Sequence, residues 1–306
     1  MLATSSLALI VLASAACKRD AAVDPIKLIP DGATAMGGVD VKAVVGSKAY
    51  QSNKAMIEQG EGKDELEAAR ACQLGPETWQ SILVGMDTAA PDTKIALVLR
   101  ATGLGKKESL DCIAGKMKAD QGKDPWTMEE KNGRLTLTMT DGNHTAFVVD
   151  DDTVVAVGSG WVEAVQAVLA GGEQAKSAVD GSLKELVARV DKQQIWLVGK
   201  IPEGMAQPPV DGARDASVSL DVSQGLAVVA AVGFPTPEDA RSKATALSAQ
   251  YEQIKGLVSG AGIPQAVLDS VKIEPQDSTV RVSVSASTED VEALSKQAAG
   301  LVGGLQ

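Results

Sequence analysis

Histidine is almost absent from this chain. His144 is the single one among 306 residues, which removes the commonest general base and metal ligand from most mechanisms. Rings are scarce as well: four Trp, two Tyr and two Phe leave few faces for stacking bases or sugars. Cations are outnumbered, 29 Lys and Arg against 40 Asp and Glu, for a formal net charge of -11. Such a surface repels phosphate backbones, so nucleic acid is not an expected partner. No apolar run reaches the roughly 20 residues a membrane-crossing helix needs. What the chain does have is core material: 44% of its residues are apolar, which excludes a disordered or collagenous protein and suits one large or two modest domains.

The N-terminus reads MLATSSLALIVLASAAC, an apolar stretch around Leu7 to Leu12 followed by small residues up to Cys17. This pattern predicts a secretory signal over residues 1–16, although it carries no Lys or Arg ahead of the apolar stretch. Two cleavage readings compete. Ala13-Ser14-Ala15 suits ordinary signal peptidase and a secreted protein, whereas Ser14-Ala15-Ala16-Cys17 has the form of a bacterial lipobox with Ser where Leu is customary. The lipobox reading is favoured, with Cys17 the lipidated residue, residues 17–29 a charged tether, and several acyl chains giving a stable anchor. Lys18 after that cysteine points to the outer membrane, facing the periplasm.

Cysteine parity fits an exported protein. With Cys17 set aside, Cys72 and Cys112 remain, and two thiols in an oxidising compartment predict one disulfide. The alternative is two separate buried thiols acting as small hydrophobes.

Along the chain, strand and helix signals alternate in two similar series. The first holds strands near Ala33 to Val41, Trp79 to Met86 and Lys94 to Arg100. An amphipathic helix with Leu110, Ile113, Ala114 and Met117 on one stripe follows. A hairpin from Trp126 to Met139, a further hairpin from Thr145 to Val157 and a helix from Trp161 complete it. The second holds Gln194 to Ile201, Ser217 to Val222 and the apolar run Leu226 to Val232. A long helix opened by Thr236-Pro237-Glu238-Asp239, a hairpin from Val271 to Val284 and a last helix capped by Ser287 and Asp290 then follow. The order strand, strand, helix, strand, strand is not a regular βαβ crossover. It predicts an α+β fold of mainly antiparallel sheet with amphipathic helices packed on one face. Two lobes are expected, at 30–172 and 182–306, joined by a connector at 173–181.

The run Cys72-Gln73-Leu74-Gly75-Pro76, then Trp79-Gln80-Ser81-Ile82 and the later Cys112, resembles a pattern in uncharacterised predicted lipoproteins of myxobacteria and related bacteria. The cysteine spacing and Pro76 carry the resemblance, while Gln73 and Gly75 depart from it. It implies a duplicated α+β lipoprotein with no assigned activity.

Local catalytic signatures are missing. There is no Gly-x-Ser-x-Gly elbow, Ser-x-x-Lys dyad, Cys-x-x-Cys or His-Glu-x-x-His. Gly103-Leu104-Gly105-Lys106-Lys107 lacks the Gly-Lys-Ser/Thr end of a phosphate loop, and His144 sits in a turn, Asp141-Gly142-Asn143. Glu129 and Glu130 read as a solvated strand edge. Asp150, Asp151 and Asp152 form an acidic hairpin tip whose oxygens are weak candidates for a calcium site; no resident metal or cofactor is expected. The leading expectation is a non-catalytic, lipid-anchored cell-envelope protein that binds or assembles with another envelope protein. The alternatives are a periplasmic carrier of a lipid or other apolar ligand and an unrecognised hydrolase.

Overall fold

The computed structural model describes residues 23–58, 63–131, 133–171, 175–260 and 262–294. Twelve strands join in one sheet in the order β11-β12-β10-β9-β8-β1-β2-β3-β7-β6-β5-β4, and all their pairings are antiparallel. The first half supplies β1 (Ala35–Asp40), β2 (Trp79–Met86), β3 (Ile95–Ala101), β4 (Trp126–Lys131), β5 (Arg134–Met139), β6 (His144–Asp150) and β7 (Thr153–Gly158). The second supplies β8 (Ile195–Lys200), β9 (Asp215–Asp221), β10 (Gly225–Gly233), β11 (Lys272–Gln276) and β12 (Thr279–Ser287). The fold class is therefore α+β with a large antiparallel sheet. The halves meet where β1 pairs with β8, Gly38 opposite Trp196, so the sheet runs unbroken across the connector.

The two halves share an order of elements. Strands β1, β2 and β3 correspond to β8, β9 and β10. After β3 comes the helix α4 (Lys107–Gln121), and after β10 comes α7 (Pro237–Gly260). The sheet places β7 beside β3 and β12 beside β10. The hairpin β11-β12 thus occupies the place of β6-β7, and the additional hairpin of the first half is β4-β5. The hairpin without a counterpart in the second half is thus Trp126 to Met139 and not the further hairpin from Thr145 to Val157.

Helix ends follow their local chemistry. Thr236 Oγ1 accepts the Asp239 N–H at 3.1 Å at the start of α7, with Pro237 in the first turn. Ser287 and Asp290 form a reciprocal capping box, each side chain accepting the other's N–H at 3.1 Å, ahead of a helical turn over 288–294. Ala298 and Leu301, expected on that last helix, lie outside the described residues.

Strand alternation divides the sheet into two faces. One face is closed over its centre: Met36 and Val98 are 1% exposed, Val155 and Val198 fully buried. Leu28, Ile29, Trp161, Val165, Leu186 and Val187 cover them, from the turn Pro25–Leu28, α5 (Val162–Leu169) and α6 (Lys184–Arg189). Residues 17–29 were expected to be a tether, yet Leu28 and Ile29 are 0% exposed, and Ile29 Cγ2 fills the space a Cβ on Gly85 would take. The connector is also built in: Ala178 is fully buried, and Ser177 bridges to Pro30. Val23, Ile26, Leu28 and Ile29 show no clear period among the charges of this stretch, yet all pack against the core, and Ile29 plugs the hole the glycine leaves.

The long helices α4 and α7 lie on the opposite face, at its two flanks. Under α4 sit Leu137, Ala146 and Val154, and under α7 sit Val232, Val280 and Val282. The short helices on the first face add a second helical layer to the single one expected. Between α4 and α7 the described residues leave the apolar floor partly open. Leu97, Val84, Leu197 and Val218 are in lateral register through Gly37. Val84, Leu97 and Val218 are half-buried, and Leu197 is 48% exposed although β8 is a central strand. In β9 the serine face is the more enclosed one at its centre, with Ser219 2% exposed and Val218 and Leu220 only half-buried.

Candidate functional site

Cys72 and Cys112 are joined, with an S–S distance of 2.08 Å and Cα atoms 5.7 Å apart. Cys72 follows the helix α3 (Lys63–Ala71), and Cys112 lies within α4. Gln73 then takes a left-handed φ of 60°, which turns the chain so that Leu74 is 2% exposed in the core under α4. The Trp79 indole donates to the Leu74 carbonyl at 2.9 Å. The bridge staples the insertion between β1 and β2 to the sheet, a structural role.

The acidic tip is put to local use. Asp152 Oδ1 accepts the Gly103 N–H at 2.7 Å, the Asp151 carbonyl accepts the Gly105 N–H at 2.8 Å, and Asp150 Oδ1 accepts the Asp152 N–H at 2.9 Å. The tip thus docks the loop before α4, and Gly105 is required because a Cβ there would strike the Asp150 carbonyl. Two amides of the glycine-rich loop are consumed in the same contacts. Among the described residues no three His, Cys, Asp or Glu side chains converge as metal ligands, and Asp150 and Asp152 turn side-chain oxygens to backbone amides instead. His144 faces Asp141 Oδ2 at 3.2 Å on the surface. The Asp141 carboxyl is held below its usual value first by the Asn143 N–H and then by His144. Glu129 reaches Lys131 at 2.8 Å along edge strand β4.

Among the described residues, two features of the central strands offer room for a ligand. The first is the partly open apolar floor around Leu197. The second is a groove of about 580 Å³ at one end of β1, β2, β3 and β8, within the size range of small-molecule sites. Its base holds Leu83, Ser81, Arg100 and Trp196, and its rim holds Lys42, Glu77 and Lys192. Gly38 makes this base possible: a Cβ there would lie 2.7 Å from Trp196 Nε1 and 2.7 Å from Leu83 Cδ2, so the indole edge lies over the bare backbone of β1. Across the sheet Ser81 stands between Asp40 and Arg100. Asp40 is already engaged, its Oδ1 accepting the Ala43 N–H at 2.9 Å as the cap of α1 (Val41–Gly46). Ser81 entered the sequence reading only within the run Trp79-Gln80-Ser81-Ile82, and none of these residues stood out there as part of a site. The available signals were the Gly37-Gly38 pair inside a strand, a mark of close approach, and Arg100 at the end of an otherwise apolar run.

The fold has solved counterparts. A chain of TP0453 in crystal form I matches with a TM-score of 0.50 and 11% identity, over 90% of this chain and 98% of that one. Its crystal form IV matches with a TM-score of 0.48 and 10% identity, over 89% and 96%. At such identity the likeness concerns the fold. No family model matches the chain, and no curated protein matches it. Cys17 and the rest of residues 1–22 lie outside the described residues, and among the described residues no helix is long and apolar enough to cross a membrane.

Proposed function

We infer that this chain is a non-catalytic binding module of the bacterial cell envelope. It is anchored through lipid on Cys17 to the outer membrane, facing the periplasm, and holds an acyl chain or similar apolar ligand against its open sheet face. The observation that carries the reading is Leu197, 48% exposed at the centre of a twelve-stranded sheet, in an apolar row between α4 and α7. Burying apolar surface is worth about 25 cal/mol per Å², so a floor of this kind is stable in water only at a penalty that a ligand removes. Large uncovered apolar patches mark interaction sites. We take the occupant to be an apolar ligand lying along the row of Val84, Leu97, Leu197 and Val218. The resemblance to predicted lipoproteins and the absence of local catalytic motifs agree with the anchored, non-enzymatic part of the proposal.

Two measurements test it separately. Metabolic labelling with radioactive palmitate should mark the wild-type chain and leave Cys17→Ser unlabelled; label persisting in the variant contradicts the anchor. Organic extraction of the Cys17→Ser protein should release a lipid in near-stoichiometric amount, and Leu197→Glu added to it should release little while keeping the melting temperature. An extract without lipid refutes the ligand reading.

A further inference from the structure

The groove beside Arg100 is built for something other than the apolar floor. Arg100 Nε is sealed from solvent and has no hydrogen-bond partner, and among the described residues the guanidinium makes no ion pair. Trp196 is 7% exposed and lines the groove beside it. Native proteins satisfy nearly all such groups, and each exception calls for an explanation. Arg100 is a donor, which defines what is missing: an acceptor, and beside a guanidinium an anionic one. The acids nearby do not supply it. Asp40 is spent on capping α1, and Glu77 is exposed at the rim. The base is not uniformly polar, since Leu83 and the Trp196 ring form one side of it.

We propose that this groove binds a small organic carboxylate with a flat or apolar body. The carboxylate lies on the Arg100 guanidinium with Ser81 beside it, and the body rests against Leu83 and the Trp196 indole. Arg is suited to this because its planar fork meets both carboxylate oxygens at once, which Lys cannot do. Lys42 and Lys192 at the rim add favourable charge for an incoming anion in an otherwise acidic protein. The site is separate from the open sheet face: it takes charge where that face takes hydrocarbon.

The test uses benzoate, uncharged benzamide and inorganic phosphate as probes against the folded chain with Cys17→Ser, followed by calorimetry and by the Trp196 indole N–H resonance, assigned with Trp196→Phe. Benzoate is expected to shift that resonance and to bind about tenfold more tightly than benzamide, the margin of one charged hydrogen bond. Arg100→Lys should weaken benzoate by a similar factor, and Ser81→Ala, a milder change, by less. Phosphate binding more tightly than benzoate overturns the carboxylate assignment in favour of a phosphoryl ligand. Equal affinity for benzoate and benzamide, or no response from the indole resonance, overturns the site itself. Matching amide spectra of the Arg100→Lys and wild-type chains keep a folding defect from imitating a binding loss.

Discussion

Removing the Cys72–Cys112 bridge should destabilise the protein by about 4 kcal/mol, the chain-entropy value for a closed loop of roughly 40 residues. The loop length is the sequence separation of 40 between the two cysteines. Cys72 is 6% exposed and shortly followed by the buried Leu74, so replacing both cysteines by Ala removes the link and the packing of its two sulfurs while adding no polar group. The assay is urea unfolding of oxidised wild type, dithiothreitol-reduced wild type and Cys72→Ala/Cys112→Ala. With a slope of about 3 kcal/mol per molar for a chain of this size, the midpoint of both reduced forms should fall by about 1.3 M. Amide exchange should quicken first in α3 and in residues 72–78, whose attachment to α4 depends on the bridge, before it changes in β1, β8 or β9. Midpoints that coincide within about 0.3 M, well under the shift the loop-closure model requires, would refute the reasoning. They would mean that the 40-residue loop is already constrained in the unfolded chain or that its closure carries no free energy.

Three further outcomes follow from named contacts. Gly38→Ala should destabilise by about 1–3 kcal/mol, the usual penalty of overpacking, because the added Cβ meets Trp196 Nε1 and Leu83 Cδ2 at 2.7 Å; Trp fluorescence and a melting curve report it together. Ile29→Ala should cost about 2–5 kcal/mol as a core truncation, measured by denaturant unfolding, whereas a residue in a free tether would change nothing. The Asp31 carboxyl is held below its ordinary value chiefly by the Ser182 N–H at 2.7 Å, with help from the Ser182 hydroxyl, the Gly32 N–H and the charge of Lys176 against the opposing effect of desolvation. A depressed carboxyl stabilises above its unfolded value near 3.9 and loses that contribution as pH falls through the folded value. Asp31→Asn should therefore be about 1 kcal/mol less stable than wild type at pH 7, a modest figure because the side chain is exposed. That gap should begin to narrow in unfolding curves as the pH falls past about 4 and close only below the folded value.

Much of the fold was legible because its signals are local. Thr236-Pro237 and Ser287 with Asp290 announce helix starts through hydrogen bonds closed within three residues. The alternation of Leu135, Leu137 and Met139 with threonines identifies β5, and Gly133, with φ of 71°, marks the turn before it. The failures concern long-range pairing. Nothing in residues 35–40 or 195–200 indicates that β1 lies against β8, about 160 positions away, so the single sheet emerges only in three dimensions. The serine face of β9 is equally instructive, since alternation shows that two faces differ but not which one the rest of the chain covers. The groove escaped notice because its parts, Gly38, Ser81, Arg100 and Trp196, come from four strands and form no motif. The acidic tip failed in the opposite way: three adjacent carboxylates suggested a cation, yet their neighbours in space are backbone amides.

The central claim is that the open sheet face holds an apolar ligand, and native mass spectrometry tests it most directly. The chain with Cys17→Ser, which carries no covalent lipid on that residue, is purified from the periplasm without detergent and compared with the same chain bearing Leu197→Glu. The account predicts a non-covalent adduct of lipid mass on the first protein and its loss from the second, with both folded. A bare polypeptide mass for the first protein, or an adduct of equal abundance on both, would contradict it.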